Sequence, residues 1–164
     1  MGPRAATSEV STAAAGAAAE AAARSHVAVR ELGGGAEIAA AACLLAELWA
    51  APGGAGPVPA DLLTAFELSG SYVAGAFAGD EIVGVSIAFA TPATPPTPLA
   101  PSVAAGIPVG LHSHITGVSA THRRSGAGVA LKLHQRAWAL AREIGSISWT
   151  FDPLVARNAR FNLS

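Results

Sequence analysis

Residues 117–142, GVSATHRRSGAGVALKLHQRAWALAR, constrain the fold more than any other stretch. A β-rich segment runs into two arginines, then two glycines one residue apart, then a long amphipathic helix expected over residues 125–143. Such a junction belongs to a sheet flanked by helices.

The remaining segments support a mixed sheet. Residues 26–32 alternate apolar and polar side chains, as a half-buried strand does. After three glycines, residues 36–50 place Ile38, Leu45 and Leu48 at helical spacing, and residues 60–70 read as a short helix stopped by Gly70. Residues 72–90 read as two strands joined at the turn dipeptide Gly79-Asp80. Residues 91–102 are too rich in proline for a central strand or a helix, so a surface loop or flap is expected there. A strand over 110–120, the long helix, a buried strand over 146–153 and the start of another helix at 154–164 complete the order. The expected class is α+β: a mixed, mostly antiparallel central sheet flanked by helices.

With 51% hydrophobic and 13% charged residues, 164 residues suffice for one domain with its own core. Residues 1–25 are alanine-rich and broken by Glu9 and Glu20, which fits a disordered or weakly helical tail better than a secretion signal. The domain is therefore expected over 26–164. A formal net charge of −1 gives no general attraction to nucleic acid or to anionic membranes, so neither is expected as a partner. No apolar run is both long and charge-free enough to span a bilayer. The single cysteine, Cys43, forms no internal disulfide; it is expected as a core thiol in a cytoplasmic protein.

The glycine junction has a chemistry of its own. Gly126 and Gly128 carry no Cβ, so the backbone can approach a ligand closely. The first turn of a helix leaves N–H groups without partners and carries partial positive charge, and both favour an anion such as phosphate. Arg123 and Arg124 add charge-assisted donors. A turn needed only for tight packing would look similar. Two familiar phosphate motifs fail: Leu131 stands where a dinucleotide-binding loop wants its third glycine, and Ala127 and Val129 follow the two glycines instead of a P-loop's Lys-Ser/Thr.

What remains, Arg123-Arg124-Ser125-Gly126-Ala127-Gly128, resembles motif A of the GNAT superfamily of N-acetyltransferases, Gln/Arg-x-x-Gly-x-Gly/Ala. The blocks LHSH…GV, ALKLHQRAWAL and WTFDPL.ARNA.FNL are similar to an uncharacterised bacterial GNAT subgroup. The resemblance covers about residues 26–164 and is strongest over 111–163. It implies an acyltransferase that moves an acetyl or other acyl group from acetyl-CoA or another acyl-CoA to an amine. The backbone around Arg124, Ser125, Gly126, Ala127, Gly128 and Val129 would hold the pyrophosphate. Ile115, Thr116, Gly117 and Val118 would pair with the pantetheine arm, and Asn158 would reach it. Arg124-Ser125 departs from the family's usual Gly-Arg or Gly-Lys. The chain ends before the family's last strands, so the domain is expected to be incomplete at its C-terminus. The tyrosine that often protonates the leaving thiolate has no counterpart, because the only tyrosine, Tyr72, lies on the wrong element. A non-catalytic CoA-binding module is therefore the alternative, and a homodimer is a further expected assembly.

His112 and His114, two apart on one strand, are expected to share a face with Thr116. An alkylammonium of pKa near 10.4 must lose a proton before attack, so a nearby base is useful. The resemblance places His112 where several GNAT enzymes carry that base, with His114 second; both otherwise read as structural histidines. A metal is not expected. Gly106 and the two histidines match the opening of a cupin motif, but Val118 and Ser119 stand where its glutamate belongs, and two ligands fall short of a zinc site. Asp152-Pro153 reads as a helix start, and Trp149 and Phe151 as core residues.

Overall fold

The computed structural model describes residues 3–49, 56–92 and 109–151. Five strands form one sheet in the order β1-β2-β3-β4-β5: Ala28–Glu31, Tyr72–Ala78, Glu81–Pro92, Val109–Val118 and Ile147–Trp149. The first four pair antiparallel with their neighbours, while β5 runs parallel to β4. The helices are α1 (Pro3–Arg24), α2 (Gly35–Leu48), α3 (Ala60–Leu68) and α4 (Ala127–Ala141). The expected hairpin turns at Gly79-Asp80. The proline-rich 93–108 and residues 152–164, including Asp152 and Asn158, lie outside the described residues.

Two layers cover the sheet. On one face, Ile38, Leu44 and Leu45 of α2 and Leu63 of α3 pack on Val73, Phe77, Val85 and Ile87. On the other, α4 lays Leu131, Trp138 and Ala139 against Ala76, Val83, Tyr72 and Leu111. Trp138 Nε1 donates to Glu31 Oε1 at 2.6 Å, and the Arg142 guanidinium lies 3.9 Å from the Trp138 ring centre, tying α4 to β1. Arg30 holds the Glu37 carboxylate, whose pKa falls to about 2 chiefly through that hydrogen bond, with help from the Gly33 N–H.

Three expectations need correction. Residues 3–24 are not a disordered tail but helix α1, whose Ala14, Ala18 and Ala21 are buried, Ala21 packing with Ala127 and Ala130 of α4. Alanine is the strongest helix former, and its small side chain lets two helices approach closely. Cys43 is exposed, because it lies two residues from both Ala41 and Leu45, about 200° round a helix that turns those two inward. β5 is not a buried strand: it pairs with β4 over only three residues, and Trp149 is 45% exposed.

Candidate functional site

β4 decides the site. Its neighbour β3 pairs with it from Val118 back to Val109, but the register shifts between Ile87 and Ala88: Ile87 faces Ile115 and Ala88 faces Ser113. His114 is the extra residue of a β-bulge, and such a bulge turns the residues beyond it to the opposite face. Ile115 therefore packs into the α2/α3 core beside His112 and His114, both of which lie against Phe89. Thr116 faces α4 instead, where its Oγ1 is 2.9 Å from Ser86 Oγ; the buried Gln135 donates to that serine at 3.4 Å. The expected sharing of a face by His112, His114 and Thr116 fails for this reason.

β5 pairs with β4 only as far as Ser113↔Trp149. Beyond that point, among the described residues, the outer edge of β4 over Ile115–Val118 has no strand beside it. There a cavity of about 780 Å³ opens. Thr116, Gly117 and Val118 form its strand wall, His122, Arg123, Arg124 and Gly126 its loop, Gly128 and Val129 the first turn of α4, and Leu48 and Trp49 its cover from α2. Five of these eleven residues come from the stretch singled out in sequence as an anion site, and three, Thr116, Gly117 and Val118, from the strand expected to pair with the pantetheine arm. Leu48, Trp49 and His122 were missed. The tryptophan packs over Gly117, where a Cβ would lie 2.6 Å from its ring.

The two motif glycines do different work. Gly126 caps α4 at φ +98°, and a Cβ on it would stand 2.5 Å from Ser25 Oγ, so it serves the turn and the close approach of α1. A Cβ on Gly128 would meet only Val118 Cγ2 at 3.7 Å and is otherwise open to the cavity. Ser125 accepts from the Ala127 N–H at 3.2 Å, while the Gly128 and Val129 N–H groups take no hydrogen bond among the described residues. Arg124 adopts φ 67°, and neither it nor Arg123 pairs with a carboxylate among the described residues. Two guanidiniums without carboxylate partners among the described residues and the start of a helix thus converge on one space.

His112 and His114 stand at the other end of β4, outside this cavity, and His112 Nδ1 lies 3.3 Å from Ser148 Oγ on β5. Behind them, on the α4 face, the only lysine of the chain donates to Ser113 Oγ at 2.6 Å; burial lowers the pKa of this residue, Lys132, to about 8. Nothing in the helical pattern of residues 125–143 distinguished it. Tyr72 is fully buried and bonds His134 Nδ1 at 2.9 Å, away from the cavity. Among the described residues no group of three or more His, Cys, Asp or Glu side chains gathers to hold a metal. No described helix is long and apolar enough to cross a membrane.

Solved structures with this topology include an aminoglycoside acetyltransferase from an uncultured soil metagenomic sample in complex with sisomicin. It is 12% identical at a TM-score of 0.67, over 84% of this chain and 86% of that one. The aminoglycoside N-acetyltransferase AAC(6')-Iy in complex with CoA is 13% identical at a TM-score of 0.62, over 84% and 85%. A GNAT family acetyltransferase of Staphylococcus aureus is 10% identical at 0.55, over 77% and 87%. The fold is the GNAT fold. No protein-family model and no curated protein matches the chain. Within the GNAT fold, the junction between β4 and α4 carries the cavity, and the bulge of β4 carries the two histidines.

Proposed function

We propose that the chain is a GNAT-type N-acetyltransferase that transfers an acetyl group from acetyl-CoA to an amine by direct attack. The single observation that carries this reading is the cavity at the β4–α4 junction, with Gly128 open to it and Arg123 and Arg124 without carboxylate partners among the described residues. A pyrophosphate fits that donor set: free N–H groups, the positive end of a 15-residue helix and two guanidiniums. The likeness to acetyltransferase structures, one of them with CoA, supports it.

Arg123, Arg124 and the N–H groups of Gly128 and Val129 hold the phosphates. The edge of β4 over Ile115–Val118, unpaired among the described residues, receives the pantetheine arm through its backbone. From Val118 back to Ser113 the strand extends roughly 16 Å, which brings the thioester to the bulge. The thioester supplies the activated acyl group. The amine nitrogen attacks its carbonyl carbon, the C–S bond breaks, and CoA leaves as the thiolate. His112, directly or through water, takes the proton the amine must lose, and His114 is the second candidate. The lone Cys43 fits a cytoplasmic setting. A second reading, a module that binds CoA without turnover, is favoured by the burial of Tyr72, which leaves the leaving thiolate no tyrosine.

Calorimetric titration of acetyl-CoA into the wild type and Gly128→Glu tests the cradle. The glutamate puts bulk and negative charge where the pyrophosphate sits, and affinity should fall at least ~100-fold, a change of about 2.7 kcal/mol. Gly128 is the better position, because at Gly126 a side chain would also strain the turn. Equal binding by both proteins sinks the assignment. Binding without acetylation of any amine selects the second reading.

A further inference from the structure

Four rings meet on the α2/α3 side of the bulge, away from α4. Phe66 of α3 stacks on Phe89 of β3 with centroids 5.9 Å apart and planes 10° from parallel. Phe89 in turn lies 5.3 Å from the His112 ring and 5.7 Å from the His114 ring. Phe66, Phe89 and His112 are partly exposed and His114 is exposed, so the rings form a continuous π surface rather than a closed core. This surface adjoins the point where β5 leaves β4.

Among the described residues, the elements that carry it bring few carboxylates. Residues 93–108, which join the strands carrying Phe89 and His112, contain no Asp, Glu, Lys or Arg. On α3, Asp61 accepts from the Leu62 N–H, and Glu67 stands about 100° round the helix from Phe66. An acceptor with several ammonium groups would need several carboxylates to replace its water, and none of the described residues brings one into the ring cluster. An aromatic substituent finds stacking partners here, and a single ammonium is attracted to a ring face.

We infer that the amine acceptor is a monoamine bearing an aromatic or flat apolar group, held against the wall of Phe66, Phe89, His112 and His114. The inference rests on the acetyltransferase reading and specifies its substrate class.

The test measures kcat/KM with acetyl-CoA for 2-phenylethylamine, ethylamine and sisomicin, the last as a polycation, alongside calorimetric binding of acetyl-CoA. Phenylethylamine should exceed ethylamine by roughly tenfold or more, the scale of one desolvated aromatic contact, and sisomicin should be the poorest. Phe66→Ala should lower the ratio of phenylethylamine to ethylamine at least ~threefold, whereas general structural damage would lower both rates alike. A preference for sisomicin, or an unchanged ratio in the variant, overturns the inference. So does acetyl-CoA binding with no monoamine turned over, which leaves the cradle standing. Loss of acetyl-CoA binding by the folded wild type overturns the parent reading and the inference together.

Discussion

The C-terminal end of β4 offers a ligand its backbone, and the N-terminal end offers side chains. Over Ile115–Val118 and into α4, the useful groups are a strand edge and N–H groups without partners among the described residues, and a glycine with space in front of it. Over Leu111–Ser113 the edge is taken by β5, and the imidazoles, Phe89 and the Lys132–Ser113 pair surround the strand. In the proposed reaction, the backbone end binds and the side-chain end reacts. The division teaches that one strand can serve both ends of a long substrate, provided that a bulge reorients it midway.

The sharpest way to break the comparison is to damage the side-chain end alone. His112→Gln should lower kcat ~100-fold, within the range for removing a general base. Acetyl-CoA affinity should stay at the wild-type value, opposite to the effect of Gly128→Glu. His114→Gln should do less. If His112→Gln retains the wild-type kcat and His114→Gln loses it, the two histidines exchange roles; if both retain it, neither is the base.

A smaller effect separates the two glycines within the backbone end. Gly126→Ala must hold alanine at a positive φ and bring Cβ to 2.5 Å from Ser25 Oγ, so urea denaturation should show a loss of roughly 1–3 kcal/mol. Gly128→Ala adds a methyl to a helical turn with room for it and should be neutral or stabilise by up to about 1 kcal/mol. Equal destabilisation by both would mean that the Gly128 side is as crowded as the Gly126 side.

These two ends were not equally legible in the sequence. Glycine spacing reports backbone geometry directly, so the strand–turn–helix junction at Arg123–Val129 could be placed from residue types alone. The faces of β4 could not, because a period of two predicts that residues 112, 114 and 116 align, and nothing in LHSHIT announces the extra residue at His114. Helix α1 read only as a disordered or weakly helical tail because alanine fills both its buried and exposed positions, leaving no contrast between faces. Trp149 read as core from its type, whereas its exposure depends on how little of β5 pairs with β4. The cover over the cavity by Leu48 and Trp49 is a contact between segments about 70 residues apart, and the local periodicity of α2 gives no sign of it.

The smallest effect concerns Lys132, which joins α4 to the side-chain end. Its amine donates to Ser113 Oγ, has the Trp149 ring centre 5.6 Å away, and meets no carboxylate among the described residues. Burial favours the neutral amine and brings the folded-state pKa to about 8, from the ordinary 10.5. Between those values the unfolded chain binds more protons than the folded one, so stability rises with pH across that window. Below it the whole penalty for a half-buried charge is present. Tyr72 acts in the opposite sense, because burial raises its pKa, but only above the ordinary 10.0. Lys132→Met should therefore be about 1 kcal/mol more stable than wild type at pH 7, after discounting for partial exposure. Its advantage should shrink as the pH climbs from about 8 towards 10. Urea denaturation of both proteins at half-unit pH steps measures this. Parallel stability curves would mean that burial does not lower the Lys132 pKa and that the amine stays charged in the fold across the whole window.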